Sequence, residues 1–250
     1  MSAETDGRVA VVTGAARGLG TAIADRLAAD GYRVVYGDLN REANRKAAAA
    51  ADATGESTLA VDVDIRQLAL VESCLAAAVD RWGRVDVWVN NAALTIARPF
   101  FELPQDEWDD VLETNLRGTY FGCRVAGLHM REQGGGRIVN LASIAGQRGA
   151  STNGVHYAAS KAGIVAITRF AASELAPFGV TVNAVAPAAI EGPSVAAVPE
   201  EQIATIVGSI PVRRLGRPGE VAALVAFLAS EDAGFITGAT YDINGGMLMR

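Results

Sequence analysis

Short runs of consecutive apolar residues alternate along the chain with longer stretches in which apolar residues recur every three or four positions. A short apolar run without alternation is typical of a strand buried on both faces of a parallel sheet. Recurrence every three or four residues is typical of an amphipathic helix, as at Leu19, Ile23 and Leu27. Strand-like runs occupy residues 8–13, 33–37, 57–61, 85–89, 137–141, 180–185 and 239–243.

The alternation of these two patterns predicts an α/β fold, a doubly wound parallel sheet with helices on both faces and right-handed crossovers. The region from residue 188 to about 210 opens with a stretch poor in charge and rich in Ala, Pro and Val, which favours a substrate lid over an apolar pocket. No repeat or low-complexity linker divides the chain, so we expect one domain over residues 1–250. Further helices are predicted over residues 104–131, 154–177, 200–209 and 218–229.

The composition of the chain argues against several kinds of partner, namely nucleic acids, membranes and metal ions. Half of the 250 residues are apolar, and the net charge is −6 without a basic stripe, so nucleic acid is not an expected partner. The first residues are polar, and nowhere do eighteen apolar residues run together, so we expect a soluble cytoplasmic protein with no membrane partner. The two cysteines and two histidines are scattered, which predicts core cysteines and no metal site.

The first predicted strand ends in a glycine-rich loop with the spacing Gly-x-x-x-Gly-x-Gly, at Gly14, Gly18 and Gly20. Glycines let the backbone approach an anion, and the N-terminus of the following helix offers free N–H groups. This order of strand, loop and helix predicts a dinucleotide phosphate site that also includes Arg17 and Leu19. No Gly-Lys-Ser/Thr sequence is present, so an ATPase of the P-loop type is excluded.

The second predicted strand is followed by Asp38, eighteen residues after Gly20. A carboxylate there accepts both hydroxyls of an adenosine ribose and repels a 2′-phosphate, which favours NAD. Arg17 and Arg41 favour a phosphate, so NADP remains open. Asp62 follows the third strand and is expected near the adenine.

Tyr157 and Lys161 are four residues apart and share one face of the predicted helix. We expect the ammonium to lower the pKa of the phenol, and lowering it by about three units takes roughly 4 kcal/mol. Ser143 follows the fifth strand, and its hydroxyl can hold a substrate oxygen while Tyr157 exchanges a proton. Taken alone, a Tyr four residues before a Lys is equally compatible with an accidental helix pair.

Asn115 is a polar residue in an apolar part of the helix predicted over residues 104–131. A buried amide needs partners, so it is expected to kink the helix and hold a water leading to Lys161, or else to be a satisfied core residue. Asn90 and Asn91 close the fourth strand, where two amides can fix neighbouring backbone and contact a ribose.

Taken together, these motifs resemble the short-chain dehydrogenase/reductase family over essentially the whole chain. The resemblance implies a Rossmann-type sheet of about seven strands in the order 3-2-1-4-5-6-7. It also implies that Tyr157 is the acid/base, that Lys161 lowers its pKa and holds the nicotinamide ribose, that Ser143 orients the substrate oxygen, and that Asn115 holds a relay water. The matching residues are 13–20, Asp38, Asp62, 90–92, Asn115, Ser143, Tyr157, Lys161, Pro187, 214–221, 236–238 and 244–246.

The resemblance also supplies the remaining candidate contacts. The chain departs from the family at Ala93 and Ala188, where the family usually has Gly, and at Gly192, where it often has a Thr that bonds the cofactor. Cofactor contacts are expected from Gly14, Arg17, Gly18, Leu19, Gly20, Asp38, Asp62, Val63, Asn90, Ala92, Tyr157, Lys161, Pro187 and Ile190. Substrate contacts are expected from Ser143, Ile144, Gln147, Asn153, Tyr157, Ala189 and Val195.

Three functions are compatible with these features. The first is an NAD-dependent dehydrogenase or reductase of a small or medium secondary alcohol or ketone. The second is an NADPH-dependent 3-oxoacyl-[acyl-carrier-protein] reductase, although we see no basic landing patch around residues 132–133 and 174–178. The third is a nucleotide-sensing protein without catalysis, which the presence of both Tyr157 and Lys161 disfavours. Small residues at Ala159, Ala166 and Ala171 favour close helix packing between subunits, and the resemblance implies a homotetramer.

Overall fold

The computed structural model describes residues 7–148, 153–196 and 198–249. Seven parallel strands form one sheet in the order β3-β2-β1-β4-β5-β6-β7, so the predicted fold class and strand order are confirmed. The strands are β1 (Val9–Thr13), β2 (Arg33–Asp38), β3 (Thr58–Asp62), β4 (Val87–Asn90), β5 (Gly136–Leu141), β6 (Val180–Pro187) and β7 (Thr240–Ile243).

Each central strand is buried on both faces, because its successive side chains enter two different cores. Ala10 and Val12 of β1 pack into the core on one face. Val9 and Val11 pack into the core on the other. This division explains why the strands are continuous apolar runs without polar alternation.

Helices cover both faces of the sheet. The helices predicted over residues 154–177, 200–209 and 218–229 are present with bounds within two residues, whereas the helix predicted over residues 104–131 is divided by a π-helical segment at Leu112–Arg117. The helices are α1 (Gly18–Ala29), α2 (Arg41–Ala51), α3 (Leu68–Trp82), α4 (Gln105–Val111), α5 (Gly118–Gln133), α6 (Val155–Leu175), α7 (Pro193–Ala196), α8 (Glu200–Ser209) and α9 (Pro218–Ala229). None of those helices has the length and hydrophobicity that crossing a bilayer requires.

The region predicted as a lid leaves the sheet after β6 and contains α7 and α8. Its first residues are held by a parallel bridge between Ile190 and Gly216, with backbone hydrogen bonds of 2.8 and 3.0 Å. In this structure the chain before α7 is therefore hydrogen-bonded to the segment that leads into α9. A lid role for residues 188–210 stays a prediction.

Candidate active site

The glycine-rich loop joins β1 to α1 at the carboxyl edge of the sheet, where open α/β sheets bind ligands. Gly14 has a φ of +69°, and a Cβ built on it would lie 2.7 Å from the Cα of Ala92. A Cβ on Gly20 would overlap the carbonyl oxygen of Gly14. The loop therefore packs tightly on its own backbone and on the end of β4, and only glycine fits at positions 14 and 20.

Side chains from β1 and the end of β4 hold this loop in place. The Asn91 amide donates to the carbonyl oxygens of Thr13 and Gly14, at 2.9 and 3.1 Å. In return, the Thr13 hydroxyl accepts from the backbone N–H groups of Asn91 and Ala92. Asn91 thus fixes neighbouring backbone, as the sequence predicts for one of the two amides.

Asp38 lies at the end of β2, beside the same loop. Its carboxylate accepts the backbone N–H of Ala16 at 3.0 Å and that of Asn40 at 2.8 Å, so its position is set by the glycine-rich loop. Arg41, which favours NADP in the sequence, is ion-paired with Asp62 at 2.6 Å. The side chain of Arg17 is exposed. The ribose end of the candidate site therefore presents a fixed carboxylate, and one of the two nearby guanidiniums is engaged elsewhere.

The other predicted cofactor residues lie at the ends of β3, β4 and β6. The side chain of Val63 is buried in the core, and its N–H donates to the carbonyl of Asp38. The Asn90 amide is also buried, where it donates to Asn140 at 2.8 Å and accepts from the Trp88 indole. The side chains of Val63 and Asn90 therefore pack and bond inside the protein, which leaves their backbone atoms to contact a cofactor. Ala92 contacts the glycine-rich loop, Pro187 is the last residue of β6, and Ile190 follows three residues later.

Asn115 is fully buried in the π-helical segment. Its Oδ1 accepts the N–H of Leu94 at 2.7 Å. Its Nδ2 donates to the Leu94 carbonyl at 2.9 Å and to the Ser160 hydroxyl at 3.1 Å. The amide therefore connects the loop after β4 to α6. Its predicted role in holding a relay water stays a prediction.

Ser143 follows β5, and its oxygen accepts the N–H of Ala145 at 3.1 Å. Burial is the largest influence on the phenol of Tyr157 and raises its pKa above the ordinary value of 10, while hydrogen bonds with Ser143 and Thr95 lower it. With the groups of the chain alone, burial outweighs any lowering by Lys161, so the pKa of Tyr157 is raised and not lowered as predicted. A phenol that keeps its proton at neutral pH is a proton donor, which suits reduction of a carbonyl.

The position of the Lys161 ammonium explains why it does not offset the effect of burial on the pKa of Tyr157. It lies 5.6 Å from the centre of the Tyr157 ring and donates to the carbonyl oxygen of Leu141 at 2.7 Å. Burial lowers the pKa of Lys161 from 10.5 to about 8. The ammonium keeps two further donors beyond the bond to Leu141, and these can serve hydroxyl groups of a ligand.

The buried Lys161 gives stability a defined pH dependence. Keeping its proton in the interior costs roughly 3 kcal/mol below pH 8, of which the bond to Leu141 returns about 1 kcal/mol. We therefore expect Lys161→Met to be more stable than wild type by about 1–2 kcal/mol at pH 7, measured by urea denaturation. Between pH 8 and 10.5 the unfolded chain retains a proton that the folded chain has lost, so wild-type stability rises and the difference shrinks. A difference that is the same at pH 7 and pH 10 would contradict this origin.

The predicted substrate residues come from three separate segments. Ile144 and Gln147 follow Ser143 in a short 3₁₀ turn, and the Gln147 amide donates to Asp242 at 2.8 Å. Asn153 precedes α6, and Val195 lies in α7. Ala189 lines a cavity of about 190 Å³ behind the start of the lid region. Gln147 therefore reaches the end of β7, and a charged residue, Asp242, adjoins a site expected to be apolar.

Two side chains near Tyr157 are not assigned by the sequence. Thr95, on the loop after β4, lowers the pKa of the phenol, and the Ser160 hydroxyl accepts a hydrogen bond from the amide of Asn115. No local pattern marks Thr95, because its contact depends on the course of a loop. Ser160 stands between two predicted catalytic residues, but its spacing alone does not say that it faces the π-helical segment.

The arrangement fits a dinucleotide at the carboxyl edge of the sheet. The glycine-rich loop offers close backbone approach at the N-terminus of α1, and the fixed carboxylate of Asp38 lies beside it. The hydroxyls of Ser143 and Tyr157 and the ammonium of Lys161 lie past the ends of β5 and in the first turns of α6. Such a site can bind a cofactor, hold a carbonyl oxygen and give it a proton.

Comparisons with known proteins agree with this geometry. A family model described as enoyl-(acyl carrier protein) reductase matches residues 14–248. The chain is 39% identical over 244 residues to 3-oxoacyl-[acyl-carrier-protein] reductase FabG of Vibrio cholerae, covering 98% of both proteins. It is 39% identical to short-chain reductase protein NovJ of Streptomyces niveus, covering 95% of this chain and 93% of that protein. The crystal structure of levodione reductase superposes with a TM-score of 0.91 at 36% identity, over 96% of this chain and 97% of the other.

Proposed function

Because the chain belongs to the short-chain dehydrogenase/reductase family and is an oxidoreductase, we propose that it reduces a small or medium ketone to a secondary alcohol, or catalyses the reverse oxidation, with a nicotinamide cofactor. The observation that carries the proposal is the buried ammonium of Lys161, which lies 5.6 Å from the centre of the Tyr157 ring. A non-catalytic nucleotide sensor has no need for a phenol held in this way.

Each residue has a defined task in this reaction. A bound reduced nicotinamide supplies the hydride, and the chain supplies orientation and the proton. Ser143 donates its hydroxyl proton to the substrate carbonyl oxygen and holds it beside Tyr157. Tyr157 then gives its proton to that oxygen as negative charge develops on it. Lys161 holds ribose hydroxyls with its free donors, and its positive charge stabilises the phenolate that remains.

The fixed carboxylate of Asp38 supports NAD as the preferred cofactor. A 2′-phosphate placed beside that carboxylate meets a like charge, whereas ribose hydroxyls can donate to it. Arg41 would neutralise a phosphate, but its guanidinium is paired with Asp62 at 2.6 Å. The exposed Arg17 is the remaining basic residue of the loop, so NADP is the alternative that binding measurements must test.

Asp38→Ala is expected to shift the ratio of NADP affinity to NAD affinity toward NADP by about tenfold, since it removes one like charge near the 2′-phosphate. Both affinities are expected to fall somewhat, because Ala16 and Asn40 lose their acceptor. Calorimetric titration with both cofactors measures the ratio. Asp109→Ala on α4 removes a charge of the same sign at a different place and should leave the ratio unchanged. A ratio that Asp38→Ala does not change would count against the role of Asp38.

A 3-oxoacyl-[acyl-carrier-protein] reductase is the second candidate, because relatives at 39% identity carry that name. Docking of an acidic carrier requires a basic surface near the site. Arg98, on the loop after β4, is committed to Glu107 through two bonds of 2.7 and 2.8 Å. That pairing supports the small ketone over the carrier-bound substrate.

The deciding experiment presents purified protein with levodione, acetoacetyl-coenzyme A and an acetoacetyl carrier protein, each with NADH and with NADPH. Loss of nicotinamide absorbance reports turnover. The proposal predicts the highest kcat/KM with a free ketone and NADH. A preference of at least about tenfold for the carrier-bound substrate would establish the second candidate. Binding of the cofactor without turnover of any compound would instead favour a nucleotide-sensing protein without catalysis.

We also propose that the protein is a homotetramer. Several large apolar side chains on α5 and α6 are exposed, including Phe170 at 77% and Tyr120 at 50%. Next to them, an apolar groove is lined by Leu112, Leu116, Tyr120, Gly163 and Ile167. Contiguous apolar surface of this kind marks interaction sites, and Ala166 and its neighbours on α6 permit close approach of a second copy.

Light scattering of the purified protein tests the assembly. The expected mass is four times the chain mass of 25.9 kDa. A charged residue in the groove, as in Ile167→Glu, should reduce that mass. The control is Ser173→Glu, which adds the same charge at another exposed position of the same helix and should leave the mass unchanged. A monomeric mass for the wild type would refute the proposal. The cytoplasmic location expected from the sequence stays a prediction.

A further inference from the structure

Ser160 is the one residue between Tyr157 and Lys161 whose polar side chain is fully buried. It faces the π-helical segment, which packs directly on α6 at this level. A Cβ built on Gly163, one turn after Ser160, would lie 2.6 Å from the side chain of Leu116. The close approach of the two elements brings the amide of Asn115 within hydrogen-bonding distance of Ser160.

The direction of each hydrogen bond around Ser160 is determined by its partners. The N–H of Leu94 can only donate, so the atom of Asn115 that it contacts at 2.7 Å is the amide oxygen. The amide nitrogen of Asn115 therefore donates to Ser160, at 3.1 Å. The single proton of the Ser160 hydroxyl is donated to the backbone carbonyl oxygen of Tyr157, at 2.7 Å.

These bonds hold the backbone of Tyr157. Leu94, on the loop after β4, is connected through Asn115 and Ser160 to the carbonyl oxygen of Tyr157. That loop thus sets the position of this backbone through two side chains. Removing the Ser160 hydroxyl breaks this series of contacts while leaving every group that touches the substrate in place.

We propose that Ser160 is a positioning residue for proton transfer, which sets the place of Tyr157 by tying its backbone carbonyl to Asn115. The inference rests on the proposed ketone reduction and deepens it. Proton transfer depends steeply on the placement of donor and acceptor, and a shift of about 1 Å can cost about 100-fold in rate. Binding of cofactor and ketone is shared among many other contacts and is much less sensitive to that placement.

Ser160→Ala is therefore expected to lower kcat for NADH-dependent reduction by about 10- to 100-fold, with KM and the NAD dissociation constant within about threefold of wild type. The probe is whichever of levodione and acetoacetyl-coenzyme A the wild type reduces. Thr168→Val is the matched control. Thr168 is buried on the same helix. Its hydroxyl accepts a hydrogen bond from the Asn140 amide at 2.9 Å and donates one to the Ile164 carbonyl at 2.8 Å, and neither bond involves Tyr157 or Asn115. The kcat of Thr168→Val should stay within twofold of wild type.

The proposal is overturned if Ser160→Ala keeps kcat within twofold, or if Thr168→Val lowers kcat as much, since the effect would then be that of any lost buried hydroxyl. Should Ser160→Ala fail to fold, Ser160→Cys replaces it, and a kcat within twofold of wild type overturns the proposal equally. Wild type that reduces neither probe would overturn the proposed function, and this inference with it. Active wild type with an unaffected Ser160→Ala would overturn the inference alone.

Discussion

Tyr157→Phe is expected to lower kcat for ketone reduction by about 1,000-fold, because it deletes the only atom of the ring that can give the substrate oxygen a proton. The ring itself remains, so its packing against Lys161 is kept. Cofactor affinity should therefore stay within about threefold of wild type. Steady-state kinetics and calorimetric titration measure the two quantities separately.

The control for this variant is Tyr32→Phe. Tyr32 is also buried and its hydroxyl also donates one hydrogen bond, to the carbonyl of Ala229 at 3.1 Å, but it lies against α9 rather than at the active site. Its kcat should equal that of wild type, although some stability is lost with the bond. If a folded Tyr157→Phe protein turned over like wild type, Tyr157 would not be the proton donor.

Gly20→Ala is expected to weaken binding of NAD by about 100-fold. The new Cβ overlaps the carbonyl oxygen of Gly14, which belongs to the backbone and cannot rotate away as a side chain would. The loop must move, and overpacking of this kind costs up to about 3 kcal/mol, which corresponds to about 150-fold in affinity when it falls on the binding surface. Calorimetric titration with NAD measures the effect.

Gly219→Ala is the matched control, since Gly219 also lies in the first turn of a helix but has open space where its Cβ would be. It should leave NAD affinity unchanged and raise the free energy of unfolding slightly, by up to about 1 kcal/mol. An affinity of Gly20→Ala within threefold of wild type would mean that the glycine-rich loop does not hold the cofactor.

The strands could be predicted because burial on both faces leaves a local signature. Neighbouring residues such as Val11 and Val12 enter different cores, so both must be apolar and the run has no polar interruptions. The glycine-rich loop could be predicted for a similar reason. The approach of backbone to backbone at Gly14 and Gly20 excludes every larger side chain, so the sequence itself records it.

Contacts between distant segments left no such signature. The pairing of Arg41 with Asp62 joins the start of α2 to the end of the neighbouring strand, which the sequence does not show. Thr95 influences the pKa of Tyr157 from a loop. The pKa of Tyr157 was misjudged because the spacing to Lys161 gives proximity but not burial, and burial has the larger effect.

Transfer of isotope from cofactor to product tests the central claim most directly. Wild-type protein is supplied with levodione and NADH that carries deuterium at both C4 positions, and the alcohol is analysed by mass spectrometry. Our account predicts one deuterium on the carbon that bore the carbonyl oxygen, and none when the solvent alone is deuterated. An alcohol labelled from the solvent at that carbon, or no alcohol from any ketone although the cofactor binds, would contradict it.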